Sequence, residues 1–394
     1  MISADGREAS GAQALPLLPA LVAMTGLQAL VALALFAPGV LGPQLGYGEG
    51  AISLFATACF AVGVWTSLYG GLLAARLGSF MVAALCALAI ALAMAVASIG
   101  TLAALLVSGL IVGLAFGPET PASSTLLARL ARPEQRPLIF SVRQTGNQIG
   151  AMVGSLMLPV IALAAPRAGY AVIVVLALVA AGVFLGLRAR YDGIARGPAQ
   201  RLDWRASVRL VRSEPALARL ALASMPYSAM QLALNAYFVT FAIDTLRLPY
   251  VTAGLLLAIA QAGGLVGRLG WGWVATRVST ARGVIIGIGL AMAALAILIG
   301  CMGPGWPLPL VAAVALLFGL TASGWNGVFL AEVARLAPEG RVAEATGAVL
   351  TASYAGLLIG PLLVAAVAGW ASLSASYAVL GLMALLMTIP LLRR

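Results

Sequence analysis

Apolar residues in this chain run together rather than alternating with polar ones. Stretches long enough to cross a membrane recur at about 15–37, 51–74, 80–98, 102–127, 138–164 and 170–187. Six more follow at about 216–243, 251–276, 284–302, 308–333, 343–369 and 373–391. About 20 apolar residues carry a helix through the hydrocarbon core, so the pattern predicts twelve transmembrane helices. Most connections between them are very short. The expected fold class is an all-α membrane protein.

Composition agrees: of 394 residues, 62% are hydrophobic and 9% charged. Lysine and histidine are both absent, so all 23 basic residues are arginines. Without histidine, a phosphate loop or metal-ligand spacing, the sequence holds no enzyme constellation and predicts no metal or cofactor. Cys59, Cys86 and Cys301 lie in or at the ends of apolar segments and read as packing residues.

A net charge of +11 would point to nucleic acid in a soluble domain; here position decides. With the N-terminus inside, nineteen arginines fall on the cytoplasmic side and two, Arg167 and Arg247, outside. That is a strong positive-inside bias. The charge therefore reads as topology: a multi-pass protein of the inner membrane with both termini cytoplasmic and the bilayer, not nucleic acid, as its partner. Residues 1–13 read as a short cytosolic tail.

The longest connection divides the chain. Residues 1–190 form one six-helix half, 191–214 a basic linker, and 215–394 the second half. In the linker Arg201, Arg205, Arg209 and Arg212 recur at helical spacing beside Trp204, Val208 and Val211. This predicts an amphipathic helix on the inner membrane face, or else a solvated linker. The halves repeat. Gly71, Ala74 and Arg76 match Gly272, Ala275 and Arg277 at a shift of 201; Gly113, Arg129, Gly150 and Gly154 match Gly319, Arg335, Gly356 and Gly360 at 206. Glu134 and Arg136 match Glu339 and Arg341. Internally repeated bundles place a transport site between the repeats.

These features resemble the major facilitator superfamily over essentially the whole chain. The run Gly71-Leu72-Leu73-Ala74-Ala75-Arg76-Leu77-Gly78 is similar to that family's loop between helices 2 and 3, and Gly272–Arg277 to its echo between helices 8 and 9. The usual loop acid is replaced by Ala75 and Thr276. The helix 4 arginine of many proton-driven drug exporters aligns with Gly109. Gly267-Arg268-x-x-Trp271-Gly272 resembles the helix 8 signature of the oxalate/formate antiporter group and, similarly, of monocarboxylate transporters. That resemblance implies that Arg268 contacts a substrate carboxylate. The lysine that oxalate-type exporters carry on helix 11 has no counterpart here.

Two arginines, Arg143 and Arg268, fall inside apolar segments, where a charge demands a partner or a watered cavity. At 1.5 Å per residue they lie about 9 and 12 Å from the inner ends of their helices. The resemblance implies that helices 5 and 8 face each other, which would set both arginines beside one path, with an anion between them. Glu119, at about 13 Å depth on helix 4, offers Arg143 a structural ion pair instead. Both readings of Arg143 stand at this point. Further polar candidates for a cavity are Gln144 and Asn147 beside Arg143; Tyr227, Gln231 and Asn235 at four-residue spacing; and Gln28, Trp65, Tyr69, Trp325, Asn326 and Tyr354. Glu332 and Asp244 are expected to make surface pairs with Arg335 and Arg247. Gly146, Gly150, Gly154, Gly356 and Gly360 predict close helix contact, or a bend that moves during transport.

The reading that follows is a secondary transporter of a small organic anion, a carboxylate, working by alternating access. A proton carried on Glu119, a counter-anion, or neither would be its coupling partner. A proton-driven drug exporter and a non-transporting membrane receptor are the competing readings.

Overall fold

The computed structural model describes residues 16–132, 135–195, 204–277, 279–338 and 342–393. The 1–13 tail and the matches at Glu134, Glu339 and Arg341 lie outside them, as does Arg201. Among the described residues every regular element is helical. The first half holds α1 (Leu17–Leu45), α2 (Glu49–Leu77), α3 (Ser79–Ala97), α4 (Leu102–Leu130), α5 (Arg136–Gln144), α6 (Gly146–Ala164) and α7 (Ala168–Ala195). A short helix, α8 (Trp204–Ser213), follows. The second half holds α9 (Pro215–Asp244), α10 (Tyr250–Arg277), α11 (Ala281–Gly300), α12 (Leu308–Ala322), α13 (Asn326–Leu336), α14 (Val342–Trp370) and α15 (Leu373–Thr388).

Two of the twelve predicted helices are interrupted. The fifth breaks at Thr145, between α5 and α6, where the Thr145 hydroxyl donates to the Val142 carbonyl at 2.6 Å. A side chain competing for backbone acceptors in this way bends a helix. The tenth breaks at residues 323–325, between α12 and α13. Each pair still forms one span of membrane length, Val142–Ala164 and Leu308–Leu336.

Among the described residues eleven helices are long and apolar enough to cross a membrane. The remaining one, α9, is too rich in polar residues to qualify on composition. It is nevertheless 30 residues long, about 45 Å at 1.5 Å per residue. Most of it is buried, so its polar side chains meet protein rather than lipid.

The two halves repeat the same packing. Within the first, α1 lies on α6, α2 on α4, and α3 on α4 and α7; within the second, α9 lies on α14, α10 on α12, and α11 on α15. The glycines at shift 206 explain one of these pairs. A Cβ at Gly150 would strike the Ala29 carbonyl of α1, and one at Gly356 the Met225 carbonyl of α9. Close helix contact is thus what these positions provide. Across the halves α6 meets α10, α2 meets α14, and α1 meets α9.

Two regions differ from expectation. The linker starts later, because α7 runs on to Ala195. Tyr191 and Asp192 are buried there: the tyrosine hydroxyl donates to the Pro16 carbonyl, while the Asp192 carboxylate accepts from the N–H groups of Phe80 and Met81 at 2.7 and 3.1 Å. An acid at a helix N-terminus satisfies orphan donors and complements the dipole. The preceding Gly78 has φ +97°, and a Cβ there would collide with Asp192. The stretch read as a loop, Gly71 to Leu77, is the last turns of α2, and Gly272 to Arg277 the last turns of α10. Arg76 and Arg277 are exposed at those ends. The linker helix α8 packs against α14 and α9.

Candidate functional site

A cavity of about 200 Å³ lies between the halves. That is room for several water molecules or for a small solute. Its wall comes from α1, α2, α4, α5 and α6 of the first half and from α9, α10, α13 and α14 of the second. The apolar part is built from Val31, Leu35, Phe36, Phe60, Phe116, Leu330 and Leu357. The polar part gathers Gln28, Gln144, Asn147, Gln231, Arg268, Asn326 and Tyr354, all candidates from the sequence, together with Glu119, expected as an ion-pair partner of Arg143 or a proton carrier. Thr120, Ser228 and Ser353 also line it and were not foreseen; in a membrane helix a lone hydroxyl reads as a packing residue.

Arg268 enters from α10. Its Nε donates to the Ser323 carbonyl at 3.0 Å, and its Nη1 to the Gln144 carbonyl at 3.3 Å. The first acceptor closes α12 in the same half; the second belongs to the opposite half, one residue from Arg143. Both acceptors are neutral. Among the described residues no carboxylate lies within ion-pair distance of Arg268. A guanidinium carries five N–H donors, so two backbone bonds hold it in place and leave donors for a ligand.

Arg143 is placed differently. Its side chain is 1% exposed and ion-paired with Glu119, whose own side chain is 4% exposed. Arg143 Nη2 also bonds the Thr120 hydroxyl at 3.2 Å, and that hydroxyl donates to Glu119 Oε2 at 2.8 Å. Arg143 does not reach the cavity wall. The structure therefore does not set two arginines across one path; it sets one there and holds the other behind Glu119. Burial explains this outcome, since an unpaired charge so deep is far costlier than a paired one. Glu119⁻ and Arg268⁺ in the wall, with Arg143⁺ behind Glu119, sum to a surplus of one positive charge.

Amide pairs flank the cavity on both sides. In the first half Gln28 Nε2 donates to Gln144 Oε1 at 2.8 Å. In the second, Asn326 Nδ2 donates to Gln231 Oε1 at 3.3 Å. Behind the latter, Asn235 bonds the Gln231 carbonyl, and Gln261 bonds Asn235.

Six proposed lining residues are elsewhere. Asn235 is buried in the chain just described. Tyr227 is buried with its hydroxyl 2.8 Å from Thr388 Oγ1. Trp325 is 2% exposed and packs edge-on against Tyr227 and Phe329. Arg143 is the fourth. Trp65 and Tyr69 are exposed and do not line the cavity either. Residues four apart on a helix drift by about 40° per step, so Gln231 faces the cavity while Tyr227 and Asn235 turn away on either side. Glu332 does pair with Arg335, at 2.6 and 2.7 Å, but the acid is buried rather than a surface group.

The halves are also tied on the face opposite the chain termini. Ser53 Oγ and Tyr237 Oη lie 2.6 Å apart, and Tyr250 Oη donates to the Val40 carbonyl at 2.7 Å. A Cβ at Gly39 of α1 would strike the backbone of Ala236 in α9.

The family model of the Major Facilitator Superfamily matches residues 20–331. The chain belongs to the Major Facilitator Superfamily. Like other members it is a membrane transporter rather than an enzyme. No curated protein matches it by sequence. Among solved structures it is similar to the nucleoside transporter NupG, with TM-score 0.79 at 15% identity, over 96% of this chain and 99% of that one. A POT family transporter in complex with 5-aminolevulinic acid is similar at TM-score 0.77 and 13% identity, over 95% of each chain. The peptide transporter POT in complex with sulfate is similar at TM-score 0.76 and 18% identity, over 95% of this chain and 93% of that one. At these identities the likeness is one of fold.

Proposed function

We propose that this superfamily member moves a small organic anion, a carboxylate, across the inner membrane. The observation that carries the reading is Arg268: a cavity-lining guanidinium held by two neutral carbonyls and met by no carboxylate among the described residues. A surplus positive charge in a low-dielectric cavity favours an anion, and a planar guanidinium suits a carboxylate. An exporter of cationic drugs would need the opposite surplus. The halves, 1–190 and 215–394, rock about the cavity, and the Ser53–Tyr237 and Tyr250–Val40 bonds close the face opposite the termini. The arginine bias supports cytoplasmic termini, so the closed face is the outer one.

Arg268→Gln should lower initial uptake of carboxylates into proteoliposomes by roughly 10- to 100-fold, since hydrogen bonds to charged groups contribute about 1.5–3 kcal/mol. The variant should fold, because glutamine Nε2 stands near the place of Arg268 Nε and can still donate to the Ser323 carbonyl, and no buried acid among the described residues is stranded. Unchanged uptake by a folded variant would sink the reading.

A further inference from the structure

The charge balance and the amide pairs say more about the cargo than its sign. This inference rests on the anion reading above and narrows it. Arg143 is neutralised by Glu119 behind the wall, and the sequence has no lysine or histidine to supply a second cation. Of the described side chains lining the cavity, Arg268 is the one cation without a carboxylate partner. One negative charge on a ligand balances that surplus. A second would be left without a cation in a membrane interior, where unpaired charge is disfavoured. Apart from the Glu119 carboxylate, which Arg143 neutralises, the remaining polarity is neutral and two-sided. Gln28–Gln144 comes from the first half and Gln231–Asn326 from the second, each amide a donor and an acceptor at once.

We propose that the cargo is a monoanion whose uncharged end carries a hydroxyl or amide group, so that Arg268 takes the carboxylate and the amide pairs take the neutral end. Dicarboxylates and plain alkanoates are then both poor ligands, for different reasons. The first carries one charge too many. The second strips water from the amides without replacing its hydrogen bonds, which costs affinity.

The test is ligand-induced thermal stabilisation of the purified protein by acids matched in carbon number. The sets are propionate, 3-hydroxypropionate and malonate; butyrate, 4-hydroxybutyrate and succinate; and hexanoate, 6-hydroxyhexanoate and adipate. In at least one set the hydroxy acid should bind tenfold or more tightly than both of its companions. In the Gln231→Leu/Asn326→Leu variant that preference should collapse to under threefold while alkanoate binding persists, which a purely structural role would not produce. Alkanoates or diacids that match or exceed the hydroxy acid in every set would overturn this inference and leave the anion reading standing. Silence from all nine acids would overturn both.

Discussion

The two halves share a fold but treat a buried arginine in opposite ways. In the first, Arg143 meets Glu119 and Thr120 and is closed off from the cavity. In the second, Arg268 donates to two backbone carbonyls, meets no carboxylate among the described residues, and lines it. The repeat makes the contrast specific. A shift of 206 sets Trp325 opposite Glu119 and Val349 opposite Arg143, so the second half has lost both members of the pair. Trp325 fills its place with aromatic contacts to Tyr227 and Phe329. The lesson is that depth in the membrane does not decide the fate of a charge: the arginine that meets an acid is neutralised, and the one held by neutral carbonyls keeps donors for a ligand.

The sharpest way to break the comparison is to give the first half an unpaired charge. Glu119→Gln leaves Arg143 buried without its counter-ion, a change that costs about 3–5 kcal/mol in other buried pairs. Arg143→Gln should destabilise by a similar amount. Both would be read as lowered melting temperature in detergent. A fully stable Glu119→Gln protein would mean that Arg143 has another partner.

A smaller effect contrasts the helix starts at the termini-bearing face. α3 is capped from a distance by the Asp192 carboxylate, whereas α11 is capped by its own Thr280, whose hydroxyl accepts from Gly283 N–H at 3.1 Å. Asp192→Asn should cost about 1.5–3 kcal/mol, as expected for charge-assisted hydrogen bonds. Thr280→Ala should cost about 1 kcal/mol, the usual loss of a neutral N-cap. Equal losses in a denaturant or thermal series would remove this difference between the halves.

Much of this architecture is legible in the amino-acid sequence. Apolar run length gives the helices, and the shifts of 201 and 206 expose the repeat. The two intramembrane arginines stand out for the same reason they matter, their cost in hydrocarbon. Their fates are harder to read. Depth alone puts Glu119 within reach of Arg143 but does not say which way either side chain turns. Asp192 is hidden because it sits 110 residues or more from the N–H groups it caps and looks like the start of a linker. The helix break at residues 323–325 carries a signal in Ser323-Gly324, overshadowed by the apolar residues on both sides. Four-residue spacing groups Tyr227, Gln231 and Asn235, and helical drift leaves only Gln231 at the cavity.

The most direct measurement is carboxylate binding by two purified variants side by side, with thermal stabilisation or calorimetry as the readout. One is Arg268→Gln; the other is Glu119→Gln/Arg143→Gln, which removes the buried pair together and leaves no charge stranded. The double variant should keep carboxylate affinity within about threefold, while Arg268→Gln loses roughly 10- to 100-fold, the worth of about 1.5–3 kcal/mol. Retained binding in Arg268→Gln, with loss in the double variant, would place the anion site on Arg143 and contradict the account.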